Sequence, residues 1–251
     1  MRMYYLLLIA ALFTPLCKAT EAASEVDIAQ TECVVLLHGL WRTELSMKRL
    51  EWGLTEAGFG VANVTYPSLS YPIEELATMA VEEGVAECRA LGLDHIHFVT
   101  HSLGGILVRK YLADQNIRGL GRVVMLGPPN QGSQVADYID SLGILRPFTP
   151  VAVAQLGTGA ESLPRQLGPV NFELGVIAGT DSDLSVMPGA PQETSDGTVT
   201  VAETIVPGML DLLEMPVSHT FMMWNQPVLH QVIHFLNYGV FDREVLQVSA
   251  P

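Results

Sequence analysis

The first clear apolar run, residues 33–37 (Cys-Val-Val-Leu-Leu), does not alternate with polar residues, the pattern of a strand buried on both faces of a parallel sheet. Further strands are predicted over 60–65, 96–100, 122–126 and 174–179, and the last apolar run is 212–217. Between and after them the apolar positions take a helical spacing, over 47–57, 74–91, 103–114 and 227–237, with Gly58 and Gly92 closing the first two helices. Strand and helix therefore alternate along the chain. That rhythm predicts a three-layer α/β/α sandwich around a mostly parallel central sheet. One stretch breaks it: 133–170 has no clear strand, two short helical patches and several Gly and Pro residues. So long a connection reads as a cap or lid insertion, the plainer account being a surface excursion over one sheet edge.

The N-terminus has a different pattern. Arg2 precedes an almost wholly apolar stretch, 3–16, and small residues follow at Ala19, Ala22 and Ala23. This predicts an export signal over 1–22, cleaved near 19 or 22, with 23–251 as a single domain. The protein is then exported to a periplasm or the exterior; an uncleaved N-terminal membrane anchor is the alternative. Of the 251 residues, 49% are apolar and 16% charged, which suits a globular chain with a sizeable core. The net charge of −14 repels phosphate backbones and argues against nucleic acid as a partner. Cleavage leaves Cys33 and Cys88, which an oxidising compartment allows to pair. Sequence alone does not bring their Cα atoms within bridging distance, so two separate buried thiols is the reading taken, and their spacing offers no metal site.

Chemistry concentrates at Thr100-His101-Ser102-Leu103-Gly104, followed by Gly105, between a predicted strand and a predicted helix. A serine on so sharp a bend projects its hydroxyl above the sheet, and residues two positions away must be small. Gly104 meets that demand; Thr100 meets it less well than glycine. The helix beginning at Leu103 points free N–H groups toward a developing oxyanion. His38-Gly39-Leu40, at the end of the first strand, is placed to add a second donor, so the Leu40 and Leu103 amides are the candidate oxyanion hole.

A serine nucleophile needs a base, and seven histidines compete. His219 follows the last apolar run and precedes the terminal helix, at the sheet edge where Ser102 lies. His101 adjoins the serine and is expected to point elsewhere; His95 and His97 flank or enter a strand; His230 and His234 share a helix face without a third ligand. The acid that orients the base belongs between Leu103 and His219. Asp196, in Ser195-Asp196-Gly197, is the first candidate, with Asp181 and Asp183 as rivals nearer a strand end and Glu203 behind them.

These blocks, with Gly127-Pro-Pro-Asn-Gln-Gly132-Ser133 and Ser218-His219-Thr220, occur together and in order. The set resembles the bacterial lipase/esterase-like branch of the α/β-hydrolase superfamily over about 33–238, departing from it at Thr100, where the first elbow glycine is usual. The resemblance implies a Ser102–Asp196–His219 triad, an oxyanion hole at Leu40 and Leu103, and carboxylic-ester hydrolysis without cofactor or metal. It implies small-molecule or lipid esters as substrates, with transient contact with a lipid surface in the second case. Acyl transfer, thioester or amide cleavage would use the same residues, and a non-catalytic binding protein on this fold is the rival from another class. Within 133–170, Ile144, Leu145, Phe148, Val151 and Val153 are expected either to form an apolar wall or lid for an acyl chain or to pack against the sheet.

Overall fold

A computed structural model describes residues 32–142, 149–182 and 191–244. The export signal predicted over 1–22 lies outside them, as do Asp183 and the wall residues Ile144, Leu145 and Phe148. Six strands form one all-parallel sheet: β1 (Glu32–Leu37), β2 (Gly60–Val64), β3 (His95–His101), β4 (Leu120–Leu126), β5 (Leu174–Gly179) and β6 (Asp211–Met215). Helices α1 (Lys48–Glu56), α2 (Ile73–Ala90) and α3 (Leu103–Asp114) follow the first three strands. Among the described residues, three short helices, α4 (Gln134–Ser141), α5 (Val151–Gln155) and α6 (Leu163–Gln166), occupy the stretch between β4 and β5, where two helical patches are expected. The short α7 (Val201–Thr204) precedes β6, and α8 (Gln226–Tyr238) closes the described chain.

β1 lacks a polar rhythm because both its faces are covered. Cys33, Val35 and Leu37 pack into one core with α2 and α3, whereas Val34 and Leu36 pack into a second with α1 and α8. The same parity holds in β4, with Val123 and Met125 on the first face and Val124 and Leu126 on the other. Two cores on one sheet are the three-layer sandwich that the alternation predicts.

The two cysteines are bonded, which corrects the reading of separate thiols. Gly84 explains the approach. A Cβ on it would stand 2.3 Å from Val35 Cγ1, so its absence lets α2 lie close on β1. Cys88, one turn later on the same helix face, then meets Cys33 with Cα atoms 5.8 Å apart, within bridging distance. A helix-to-sheet spacing of this kind leaves no trace in the spacing of the cysteines.

The strand order is β2-β1-β3-β4-β5-β6. The connection from β1 runs outward to β2, and that from β3 runs the other way to β4. A crevice therefore opens at the carboxyl ends of β1 and β3, where the connections part. His38-Gly39-Leu40 and Ser102 sit at those two ends. Among the described residues no helix is long and apolar enough to cross a membrane.

Candidate active site

Ser102 has φ 52° and ψ −119°, a left-handed conformation that non-glycine residues rarely adopt and that costs of order 1–3 kcal/mol. Its surroundings impose the bend. The Ser102 amide donates to the Leu126 carbonyl (2.9 Å), and its own carbonyl accepts from Gly105 N–H (3.0 Å). Gly104 is required sterically, because a Cβ there would stand 2.6 Å from the Leu37 carbonyl oxygen. Thr100 is accommodated as an ordinary member of β3, fully buried, although its hydroxyl has no partner among the described residues.

The facing loop is pinned from β2. The His38 ring stacks on Tyr66 at 4.0 Å, the Tyr66 hydroxyl donates to the His38 carbonyl, and His38 Nδ1 donates to the Gly39 carbonyl (2.8 Å). Burial holds the His38 imidazole below its ordinary pKa and the Tyr66 phenol above its own. A Cβ on Gly39 would lie 3.2 Å from Ser102 Cβ, so the loop runs directly against the serine. The Leu40 and Leu103 amides donate to no other group among the described residues, and Leu103 opens α3, where N–H groups lack helical acceptors.

The second bank of the crevice brings His219 and Asp196 together. His219 Nδ1 lies 2.7 Å from Asp196 Oδ2, and the His219 amide donates to the Asp196 carbonyl (2.9 Å). The other carboxylate oxygen accepts from the amides of Thr198 (2.9 Å) and Val199 (2.8 Å) in a turn made by Gly197 at φ 96°. Asp196 is buried, and its carboxylate accepts a hydrogen bond from His219 Nδ1–H, which in the neutral imidazole leaves the lone pair on Nε2. Asp181 is exposed at the end of β5, and Glu203 is spent in the capping box of α7 and on the Gln134 amide. Burial raises the Glu203 pKa.

Sequence reasoning missed three supports of this pair. A Cβ on Gly127, at φ 54°, would lie 2.8 Å from Asp196 Oδ2 and 3.0 Å from His219 Nδ1; one on Gly179 would lie 2.6 Å from Asp196 Cβ. Both glycines leave room for the pair. His101 does not point away from the site. Its Nε2 donates to the His219 carbonyl (3.0 Å), and the two rings lie 4.6 Å apart. Burial foremost, then His219, holds the His101 pKa well below its ordinary value, so the ring is neutral. A residue's neighbour in sequence reveals nothing about its partner across a crevice, so no local signal tied these three to the His219–Asp196 pair.

Ser102, His101 and His219 line one cavity of about 300 Å³. Its apolar wall comes largely from the stretch between β4 and β5, through Ala136, Ile139, Val153 and Leu156. Val153 thus lines the cavity, whereas Val151 is 52% exposed. Away from it, His230 contacts Asp242 and His234 the Val240 carbonyl, two separate surface contacts. Glu32, His95 and His97 gather at the amino ends of β1 and β3 with metal-ligand spacing. However, the Arg122 amide donates to His97 Nδ1 (2.8 Å), so the neutral ring carries its proton on Nε2, the atom turned to Glu32 at 3.4 Å. A protonated nitrogen is no ligand, and two groups remain where a metal needs more.

The sequence profile of the alpha/beta hydrolase family matches residues 34–229, most of the chain. The chain belongs to the α/β hydrolase family. Solved structures agree on the fold. A lipase from Bacillus licheniformis in its mature form superposes with a TM-score of 0.62 at 20% identity, covering 78% of this chain and 87% of that one. Its propeptide form gives 0.64 at 19% identity over 82% of this chain, which spans half the length of that protein. A metagenomic carboxyl esterase gives 0.61 at 21% identity, over 76% of this chain and 65% of the other. A search of curated proteins by sequence returned no match. Identities this low speak for the α/β hydrolase fold.

Proposed function

We propose that this α/β hydrolase cleaves carboxylic esters through an acyl-enzyme on Ser102. The observation that carries the reading is the shared cavity: a serine on a strained elbow and a histidine already bonded to a buried carboxylate line the same 300 Å³ space. Ser102 Oγ attacks the ester carbonyl as His219 Nε2 takes its proton. The Leu40 and Leu103 amides hold the oxyanion, each such donor being worth roughly 3 kcal/mol of barrier. His219 returns the proton to the departing alcohol. Water then repeats the attack, and the acid leaves. Asp196 holds the imidazole tautomer throughout. The apolar wall suits an acyl chain, and small-molecule or lipid esters are the proposed substrates.

Export is part of the proposal. The 1–22 segment has the pattern of a signal peptide, and the Cys33–Cys88 bond is of a kind that persists in oxidising compartments. A fluorophosphonate probe tests the chemistry. Labelling of the wild type that disappears in Ser102→Ala is expected; a folded wild type that takes no label refutes the reading. A series of p-nitrophenyl esters of rising chain length, below and above their solubility limits, then separates soluble from aggregated substrates.

A further inference from the structure

The cavity holds one guanidinium. Among the residues that line it, Arg42 is the one arginine or lysine, and no Asp or Glu joins it. It lies on the turn after β1, closed by its own amide donating to the Gly39 carbonyl (3.2 Å). The other partly buried basic side chains of the described residues have acceptors: Lys48 on Glu51, Arg49 on Gln226, Lys110 on Asp114, Arg122 on Glu173. Arg109, fully inside, has the carbonyls of Asn130, Pro164 and Gly168. Arg42 has no acceptor among the described residues, although the chain holds 27 acids to 13 bases. In so acidic a protein, a partly buried guanidinium that meets no carboxylate among the described residues is free to meet a ligand instead.

The turn is built to present it. Trp41, beside it, has φ 56°, a conformation that glycine would adopt freely. An exposed indole is kept there in spite of the strain, at the mouth of the cavity. Keeping His101 neutral does not account for Arg42, since burial is the larger cause of that shift. Much of the apolar lining comes from α4 and α5, which gives the acyl chain a wall there, while Leu40, Trp41 and Arg42 of the β1 turn face the rest of the cavity and are left for the other half of the ester.

We propose that Arg42 is a specificity residue that binds an acidic group, carboxylate or phosphate, on the alcohol half of the substrate. The proposal rests on the ester-hydrolase reading and narrows it to esters with an anionic leaving group. A guanidinium meets either acid with two parallel N–H donors. The protein's net charge of −14 repels such a substrate at a distance, so the attraction acts only inside the cavity.

The test uses butyrate esters of 3-hydroxybenzoate and 3-hydroxybenzamide, which match in shape and differ by one charge. A third ester with a meta phosphate tells a carboxylate site from a phosphate one. In the wild type, kcat/KM for at least one acidic ester is expected to exceed that for the amide about tenfold, falling as salt rises. Arg42→Gln abolishes the ratio and Arg42→Lys keeps part of it. A wild-type ratio near one for both acids, or a ratio that survives Arg42→Gln, overturns the proposal. The same esters titrated calorimetrically into Ser102→Ala protein, with and without Arg42→Gln, read binding without chemistry. A preference there without turnover in the wild type supports the anion site and sinks the hydrolase reading. Turnover without any preference does the reverse.

Discussion

The two banks of the crevice are built by different means. On the β1–β3 bank, Ser102 is bent by its own strand-to-helix turn, and Leu40 sits on a loop pinned where the His38 ring stacks on Tyr66. On the β4–β6 bank, hydrogen bonds to one carboxylate do the positioning. His219 is oriented by Asp196, Asp196 by two amides, and both by the space that Gly127 and Gly179 leave. A serine held by backbone tolerates little movement and needs no partner to stay in place. A histidine held by hydrogen bonds is only as well placed as its weakest contact.

That contrast is broken most sharply at Asp196. In Asp196→Asn the Oδ1 acceptor of the turn survives, but an amide faces Nδ1 and reverses the imidazole tautomer. Ester turnover is expected to fall about ten-thousand-fold with the melting temperature nearly unchanged, while fluorophosphonate labelling slows in parallel. Gly127→Ala sharpens it with a smaller effect. The new methyl crowds the Asp196–His219 pair, and a ten- to hundredfold loss of kcat/KM is expected. The positive φ at residue 127 adds about 1–2 kcal/mol of destabilisation, read from urea midpoints.

The smallest effect concerns pH and belongs to the β1–β3 bank. His38 and His101 are buried there and titrate below their ordinary range when folded. In the unfolded chain they take up protons near pH 6.5. As pH falls through that value the unfolded state binds more protons, and the folded state loses stability, by up to roughly 1.4 kcal/mol per pH unit for each ring. Unfolding in urea between pH 7.5 and 5 is expected to show this slope, and His101→Gln to reduce it. A slope unchanged in that variant would show that His101 is not held neutral.

Much of this was legible in the chain. The helix predicted over 103–114 and the strand over 174–179 match α3 and β5 residue for residue, and the other strands shift by one or two residues. Local pattern suffices there because a strand covered on both faces must be apolar throughout, and a serine elbow must have small neighbours. Ser102, His38-Gly39-Leu40, Asp196 and His219 could be proposed from order along the chain alone.

Other features depend on distances that no pattern encodes. Cys33 and Cys88 meet because Gly84 draws a helix onto a strand, not because of their spacing. His101 turns toward His219, Gly127 vacates space for a pair far along the chain, and Arg42 meets no carboxylate among the described residues. Apolar periodicity is a local property, set by which faces of each element are buried. Which groups face one another across a crevice is set by how closely the elements pack, and that appears only once the chain is folded.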